Sequence, residues 1–337
     1  MQIGYMLNIK KPNRTTRLLA KTCKYYNIEL VFFNEHDVDL EKEIITGQVL
    51  NNNRWKKIEL KTPPPYIDIA PYFFKFKELI SFLKEKSQLS IPDRPGSKTS
   101  IFSKIKEDGD YADLLIPYKK YRGYNDVLEM IDEHGKVILK PIFGSKGNNV
   151  YQVSKKRRKF VVNHLNETKK YSKRKFKQLL SSKFKKDRTI IQKYIISRTN
   201  KDEPFDCRVR LEKNGKGEWK TAIFLVRIGS NNKIVSNVKR GGSVSKLSSF
   251  LKGNFPDNAE EIETNIKNIA RQFPPKLEEM LDQNLVGLGL DLGIDQTGKP
   301  YLFEVESAPG YEFGAAEVIT LKVDYYNYIK KKLKNKK

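Results

Sequence analysis

The stretch "GLDLGIDQTGKPYLFEVESAPG", Gly289 to Gly310, collects Asp291, Glu304 and Glu306 in an apolar segment of a chain otherwise crowded with lysine. "VGLGLDLGID" and "KPYLFEVES" read as two β-strands, and "DQTGK" between them is a hairpin turn signal. Glu304 and Glu306 are two apart, so their side chains leave the same face of one strand. Pairing across the turn lets Asp291 lie opposite them. Three converging carboxylates repel one another and must take up protons or recruit cations. A hard divalent ion such as Mg²⁺ answers that need, because it takes oxygen ligands and is commonly held by one or two carboxylates plus substrate phosphates. The hairpin alone leaves a second reading open, in which the acids face solvent or meet the abundant lysines.

Composition bounds the rest. At 337 residues the chain exceeds the usual single-domain size, so two or three subdomains are expected, and 38% hydrophobic with 11% aromatic residues suffices for ordinary cores. No run of eighteen apolar residues occurs, and "MQIGYMLNIKKPNRTT" has neither the long apolar segment nor the small-residue cleavage site of a signal peptide, so a soluble cytoplasmic protein with no membrane span is expected. Cys23 and Cys207 are the only cysteines, and His36, His134 and His164 are scattered, which supports neither a disulfide framework nor a zinc site.

The charge is less ordinary, with 65 Lys or Arg against 40 Asp or Glu, a net +25. Between Lys155 and Arg188 fifteen basic residues face only Glu167 and Asp187. Such a patch attracts polyanions, acidic peptides and anionic polymers included. "KKRRKF" brings no RNP motif, helix-turn-helix pattern or zinc ligands, which argues against a nucleic-acid module.

Along the chain, "IGYML", "TTRLLAKTCKYYN" and "IELVFF" read strand, helix, strand, the start of a βαβ unit. A hairpin turning at "NNNR", a Pro-rich connection through "TPPPYIDIAP" and the amphipathic helix "YFFKFKELISFLKEKSQ" complete a small α/β domain over residues 1–90. From about residue 95 come a helix through "SKTSIFSKIKE", the helix "NDVLEMIDEHG" and the strand "KVILKPI", which breaks into "FGSKGNN" and resumes at "VYQVS". The basic segment supplies the strand "KFVVNH" and helix "KRKFKQLLSSKF", followed by the strand "TIIQKYI". Strands "FDCRVRLEK" and "EWKTAIFLVRIGS", a loop "SNVKRGGSVS", a long helix from "NAEEIE" to "KLEEMLDQ", the carboxylate hairpin and a last helix "EVITLKVDYYNYIKKKL" finish the chain.

Two of these segments look able to hold phosphate. Lys140 ends an apolar strand, and Lys146 stands in a turn whose Gly144 and Gly147 permit close backbone approach, so N–H groups and lysines can meet phosphate oxygens. The turn is not the Walker sequence, and a simple Gly-Ser-Lys-Gly hairpin turn is its bland alternative. In "FDCRVR", Asp206, Arg208 and Arg210 alternate and so share one sheet face. Arg227 in "FLVRIG" would be costly to bury without an anionic partner, and its planar fork suits phosphate and carboxylate. An Asp–Arg structural pair is the alternative.

With these pieces in chain order, the sequence resembles the ATP-grasp superfamily. The order is Lys98, the strand-end lysine and glycine turn (Lys140 to Gly147), "IIQKYI", "FDCRVR", "VR…SNVKRGG", and Asp291 with Glu304 and Glu306. Within it the chain is similar to the YheC/YheD endospore coat-associated proteins, which share "fDxRV", a following "W…R" strand and "N…GG"; glutathione-synthetase and RimK-like ligases carry a similar "SN…RGG". The match covers roughly residues 90 to 330.

The resemblance implies an ATP-grasp fold, an α/β architecture in which two α+β subdomains grip the nucleotide behind a small pre-ATP-grasp domain. The corresponding ranges are 1–90 for the first domain and 91–337 for the ATP-grasp domain, with a lid at about 137–195 and a metal- and phosphate-binding subdomain at 196–330. It implies that Lys98 and Lys140 contact ATP phosphates under the loop Gly144, Ser145, Lys146 and Gly147. Main-chain groups of Gln192, Lys193, Tyr194 and Ile195 would meet the adenine edge, and Asp206 the ribose. Arg208, Arg227 and Asn237 with the Gly241-Gly242 loop would surround the reacting phosphoryl group, and Asp291, Glu304 and Glu306 would hold Mg²⁺ or Mn²⁺. The family pattern ends Glu-x-Asn, whereas this chain has Glu306 at the last position.

The implied activity is an ATP- and Mg²⁺-dependent carboxylate–amine ligase working through an acyl phosphate and joining amino-acid or peptide units, with an acidic acceptor drawn to the basic segment. A structural spore-coat protein with a weakened nucleotide site, and a polyanion binder, are the rival expectations.

Overall fold

The computed structural model describes residues 1–143, 149–229, 241–311 and 313–335. The N-terminal unit begins with β1 (Gln2–Met6), α1 (Arg14–Tyr25) and β2 (Glu29–Phe33), continues through β3 (Val38–Asp39), β4 (Ile44–Asn51) and β5 (Arg54–Leu60), and closes with β6 (Tyr66–Ile69), α2 (Lys77–Lys86) and β7 (Gln88–Leu89). β1 pairs in parallel with both β2 and β6, so the chain, having built β2 on one side of β1, crosses to build β6 on the other. Asn13 starts α1 because its side-chain oxygen accepts the Thr16 amide at 2.9 Å, one of the donors a helix leaves unmet at its N-terminus. The turn expected at "NNNR" joins β4 to β5 through Asn52 and Asn53, both at positive φ, a conformation asparagine tolerates.

Next come α3 (Lys98–Asp108), β8 (Tyr118–Lys120), α4 (Tyr124–His134), β9 (Lys136–Pro141), β10 (Tyr151–Lys156), β11 (Lys159–His164), β12 (Glu167–Tyr171), α5 (Lys173–Lys183) and β13 (Thr189–Lys193). The strands form one sheet in the order β12-β11-β10-β9-β13-β8. It has its own core, where Val127 and Met130 of α4 and Phe176 and Leu180 of α5 pack on Val137, Leu139, Val153 and Val162. The expected strands and helices are present here. β12 and β8 add to them: "ETKKY" is exposed along most of its length and shows no apolar alternation, so only pairing to β11 makes it a strand.

The third unit holds β14 (Phe205–Lys213), β15 (Trp219–Ile228), β16 (Ser243–Lys246), α6 (Leu247–Asn254), α7 (Ala259–Leu281), β17 (Gly287–Ile294), β18 (Pro300–Glu306) and α8 (Ala315–Lys334). Its sheet runs β16-β15-β14-β17-β18. Cys207, Val209 and Leu211 enter a core with Phe250, Leu251, Ile266 and Phe273, and the alternation turns Asp206, Arg208 and Arg210 to the opposite face. α7 continues as one helix through Pro274 and Pro275.

The units are not independent. One apolar cluster runs from Met6, Val31 and Ile67 through Phe102 to Leu290 and Leu302. α8 returns to the N-terminal unit, where Ile319, Val323 and Tyr326 pack with Leu19, Cys23 and Phe32. No helix among the described residues is long and apolar enough to cross a membrane.

Candidate functional site

The hairpin β17–β18 pairs as its sequence requires. Asp291 stands opposite Glu304 and Gly289 opposite Glu306, with a register shift after Asp291 that sets Leu292 against Leu302. Asp291, Glu304 and Glu306 each offer an oxygen within 4.8 Å of the others.

The arginines of the neighbouring strands close on this cluster. β14 lies beside β17 with Arg208 opposite Asp291, and beside β15 with Asp206 opposite Arg227. Arg208 grips both oxygens of Asp291 and donates from Nη1 to Glu306 at 2.8 Å. Arg227 donates to both oxygens of Asp206, at 2.7 and 2.6 Å, and its Nη2 lies 2.9 Å from Asp291. The Asp206 carboxylate thus bonds Arg227, the Asp–Arg pair that the sequence left open as one reading of this strand.

Two lysines arrive from elsewhere in the chain. Lys98, the first residue of α3, reaches Glu304 at 2.8 Å, and Lys140 near the end of β9 donates to the Phe303 carbonyl at 3.2 Å. Four carboxylates and four cations from five separate strands, with α3, therefore occupy one site.

Burial makes the balance of these charges consequential. Desolvation alone would raise the pKa of Asp291, but the guanidiniums of Arg208 and Arg227 more than reverse it and keep the carboxylate ionised. Glu306 moves the other way: desolvation raises its pKa, Arg208 opposes, and Asp291 and Glu304 add to the rise. Desolvation also pulls the Lys140 ammonium down to about 8 against the attraction of Glu304 and Asp291, with Lys98 assisting the fall. Hard oxygen donors in this number suit a divalent cation of the Mg²⁺ type, while the lysines and arginines suit phosphate.

Of the stretch implied for an adenine edge, the Lys193 and Tyr194 amides already donate to Pro117 and Lys136 at 2.9 and 3.0 Å. Gln192 is 2% exposed and its Nε2 has no partner among the described residues, so its side chain is a donor for which a base would be one acceptor. That side chain was not separately legible, because in "IIQKYI" Gln192 stands beside Lys193 and nothing in the pattern tells which of the two turns inward. Ile195 is buried. Gly144, Ser145, Lys146, Gly147 and Asn237 lie outside the described residues.

A second polar group escaped sequence reasoning. Behind Arg210, also on the site face of β14, a buried quartet joins three parts of the chain: Arg210 pairs with Glu212, and Lys322 of α8 lies 2.7 Å from Asp68 and 3.9 Å from Glu212. Glu212 continues the period-two alternation of Asp206, Arg208 and Arg210, so a signal existed for it; Asp68 and Lys322 are lone charges in apolar segments, and only the fold joins them.

The family described as "YheC/D like ATP-grasp" matches residues 91–329. The endospore coat-associated protein YheD of Bacillus subtilis (strain 168) is 26% identical over 292 residues, 82% of this chain and 64% of that protein, so the chain spans just under two thirds of that relative's length. YheC of the same organism is 21% identical over 304 residues, covering 87% of this chain and 84% of YheC. Among solved structures, D-alanine–D-alanine ligase from Bacillus anthracis superposes with a TM-score of 0.56 at 12% identity, covering 99% of each chain, a likeness of fold.

Proposed function

Because the chain belongs to the YheC/D-like ATP-grasp family, we propose that it is an ATP-dependent carboxylate–amine ligase that joins amino-acid or peptide units. The observation that carries this reading is the convergence of Lys98, Lys140, Arg208 and Arg227 with Asp206, Asp291, Glu304 and Glu306 in one site. Both poles are needed to bring a substrate carboxylate against a triphosphate that repels it.

Asp291, Glu304 and Glu306 would hold Mg²⁺ or Mn²⁺, which when bound neutralises charge on the phosphates. A substrate carboxylate oxygen attacks the γ-phosphorus, the β–γ bond breaks, and ADP leaves an acyl phosphate. An amine then adds to the acyl carbon, phosphate departs, and the amine loses its proton. Lys98 and Lys140 position the phosphates, and Arg208 and Arg227, held by Asp206 and Asp291, stabilise charge that develops on the transferring group. Gln192 and the backbone near Tyr194 and Ile195 face the base, and the resemblance would give the remaining phosphate contacts to Gly144–Gly147 and Asn237, two stretches outside the described residues. No side-chain nucleophile enters the scheme.

The fifteen basic residues between Lys155 and Arg188 are exposed on the lid, where they favour an acidic acceptor. Relatives named for the endospore coat support an association with that structure after cytoplasmic synthesis. Titration of the protein with ATP and Mg²⁺ in a calorimeter should show binding, and absence of binding overturns the ligase. A second reading, a coat protein retaining a weakened site, draws on Glu306, which Arg208 already engages. Steady ADP release over a panel of amino acids and coat extracts excludes it.

A further inference from the structure

The N-terminal sheet ends on β5. This seven-residue strand pairs with β4 along its whole length, from Arg54 opposite Asn51 to Leu60 opposite Ile45, and no described strand pairs with its other edge. An open edge of this length presents a row of unmet backbone groups, which proteins ordinarily blunt with proline, a bulge or charge. β5 has no proline, and its register with β4 is unbroken. Arg54, Lys56 and Lys57 bring the charge that usually guards an edge, but Glu59 supplies its complement.

The turn fixes which groups the edge presents. Asn52 and Asn53 stand at φ 44° and 59°, a two-residue turn of the I′ kind, which makes Asn51 and Arg54 a hydrogen-bonded pair. Bonded and non-bonded pairs alternate along an antiparallel ladder. Arg54, Lys56, Ile58 and Leu60 therefore bond β4, and Trp55, Lys57 and Glu59 turn their amides and carbonyls outward. Lys57 and Glu59 are exposed, and neither meets an opposite charge among the described residues. Ile58 between them is half-buried.

We infer that β5 pairs with β5 of a second copy of this chain, antiparallel about a two-fold axis at Ile58, so that two seven-stranded sheets become one. The side chains select that centre. With the axis at Trp55, Arg54 opposes Lys56; at Lys56, Lys57 or Glu59, a charged residue opposes itself. With the axis at Ile58, Lys57 of each copy faces Glu59 of the other, Ile58 faces Ile58, Lys56 faces Leu60 and Trp55 faces Lys61. Opposite charges and apolar residues set directly across from one another are the stabilising pairs of a sheet. The backbone agrees, because Lys57 and Glu59 both turn their amides and carbonyls outward and so exchange bonds with each other. None of this depends on the ligase reading.

Sedimentation of the full chain from about 1 to about 500 μM should show a reversible monomer–dimer equilibrium with Kd of about 10–100 μM, the range of a small interface. Glu59→Lys sets a lysine against Lys57 twice over and should weaken the dimer at least about tenfold, as should Lys57→Glu. The double variant, Lys57→Glu with Glu59→Lys, recreates both pairs and should restore the parent Kd. Both positions are exposed, so all three variants should melt with the parent. The register has its own readout. Ile58 meets its own copy in a non-bonded pair with Cα atoms about 4.5 Å apart, within disulfide reach. Cys23 and Cys207 are buried, so Ile58→Cys should cross-link two chains under mild oxidation, and Lys56→Cys, set opposite Leu60, should not. A chain monomeric throughout that range leaves the edge to a foreign strand and overturns the inference. So does a dimer that Glu59→Lys leaves intact, a double variant that fails to restore it, or cross-linking through Lys56→Cys equal to that through Ile58→Cys.

Discussion

At the scale of single residues, Glu304 and Glu306 are separable although they share a strand face. Glu304 meets Lys98, whereas Glu306 meets Arg208, which also grips Asp291. Glu304→Ala should therefore abolish Mg²⁺-dependent nucleotide binding, while Glu306→Asn should preserve or raise it, because one negative charge and its competing ion pair disappear together. Calorimetry of ATP with and without Mg²⁺ reads both, and unchanged affinity in Glu304→Ala refutes the ligand assignment. Lys140 predicts a pH dependence. Its folded pKa is about 8, below the ordinary lysine value, because burial disfavours the ammonium. The unfolded chain therefore binds more protons between about pH 8 and about pH 10, and the contribution of Lys140 to stability rises with pH through that window. Phosphate binding has the opposite sign: it needs the ammonium, so ATP affinity should fall above about pH 8 and binding there should take up a proton. Heats measured in buffers of different ionisation enthalpy would reveal the uptake.

At the scale of elements, the carboxylate hairpin depends on a glycine that its turn does not explain. A Cβ added to Gly293 would stand 2.0 Å from the ring of Phe303, so the strand pair closes only because that position is bare. Gly293→Ala should cost about 1–3 kcal/mol as the ring is forced aside. Because Phe303 also supplies the carbonyl that receives Lys140, nucleotide affinity should fall with stability. Urea denaturation and ATP titration of the same variant check both halves. The hairpin and the "FDCRVR" strand were legible because a period of two in charged residues is a statement about one sheet face. β12, β16 and α6 were not: "ETKKY" and "SVSK" carry no apolar alternation, and their strand character comes from the partners β11 and β15. α6 is short, and its Leu247, Phe250 and Leu251 acquire meaning from the core they enter.

At the scale of the whole molecule, the chain is fastened across its length by α8. Lys322 is 2.7 Å from Asp68, and burial, which alone would lower its pKa, is outweighed by Asp68 and Glu212. Lys322→Met leaves those two carboxylates buried without their common cation and should cost about 3–5 kcal/mol, measured by chemical denaturation. A loss within experimental error would mean that the quartet is solvated. β7 and β8 belong to different sheets, yet Ile67, Phe102 and Leu302 share one apolar cluster.

The sequence by itself determined the sheet faces, the order of the lysines, arginines and acids of the candidate site and, through them, the family, because alternation and chain order are local properties. Only the tertiary structure decided which charge meets which. Asp206 chose Arg227, Glu306 chose Arg208, and Asp68 found Lys322 across 254 residues of chain. Those choices follow from desolvation: a buried charge must find its counter-ion wherever the packed sheets bring one, and that distance is not written in any local pattern.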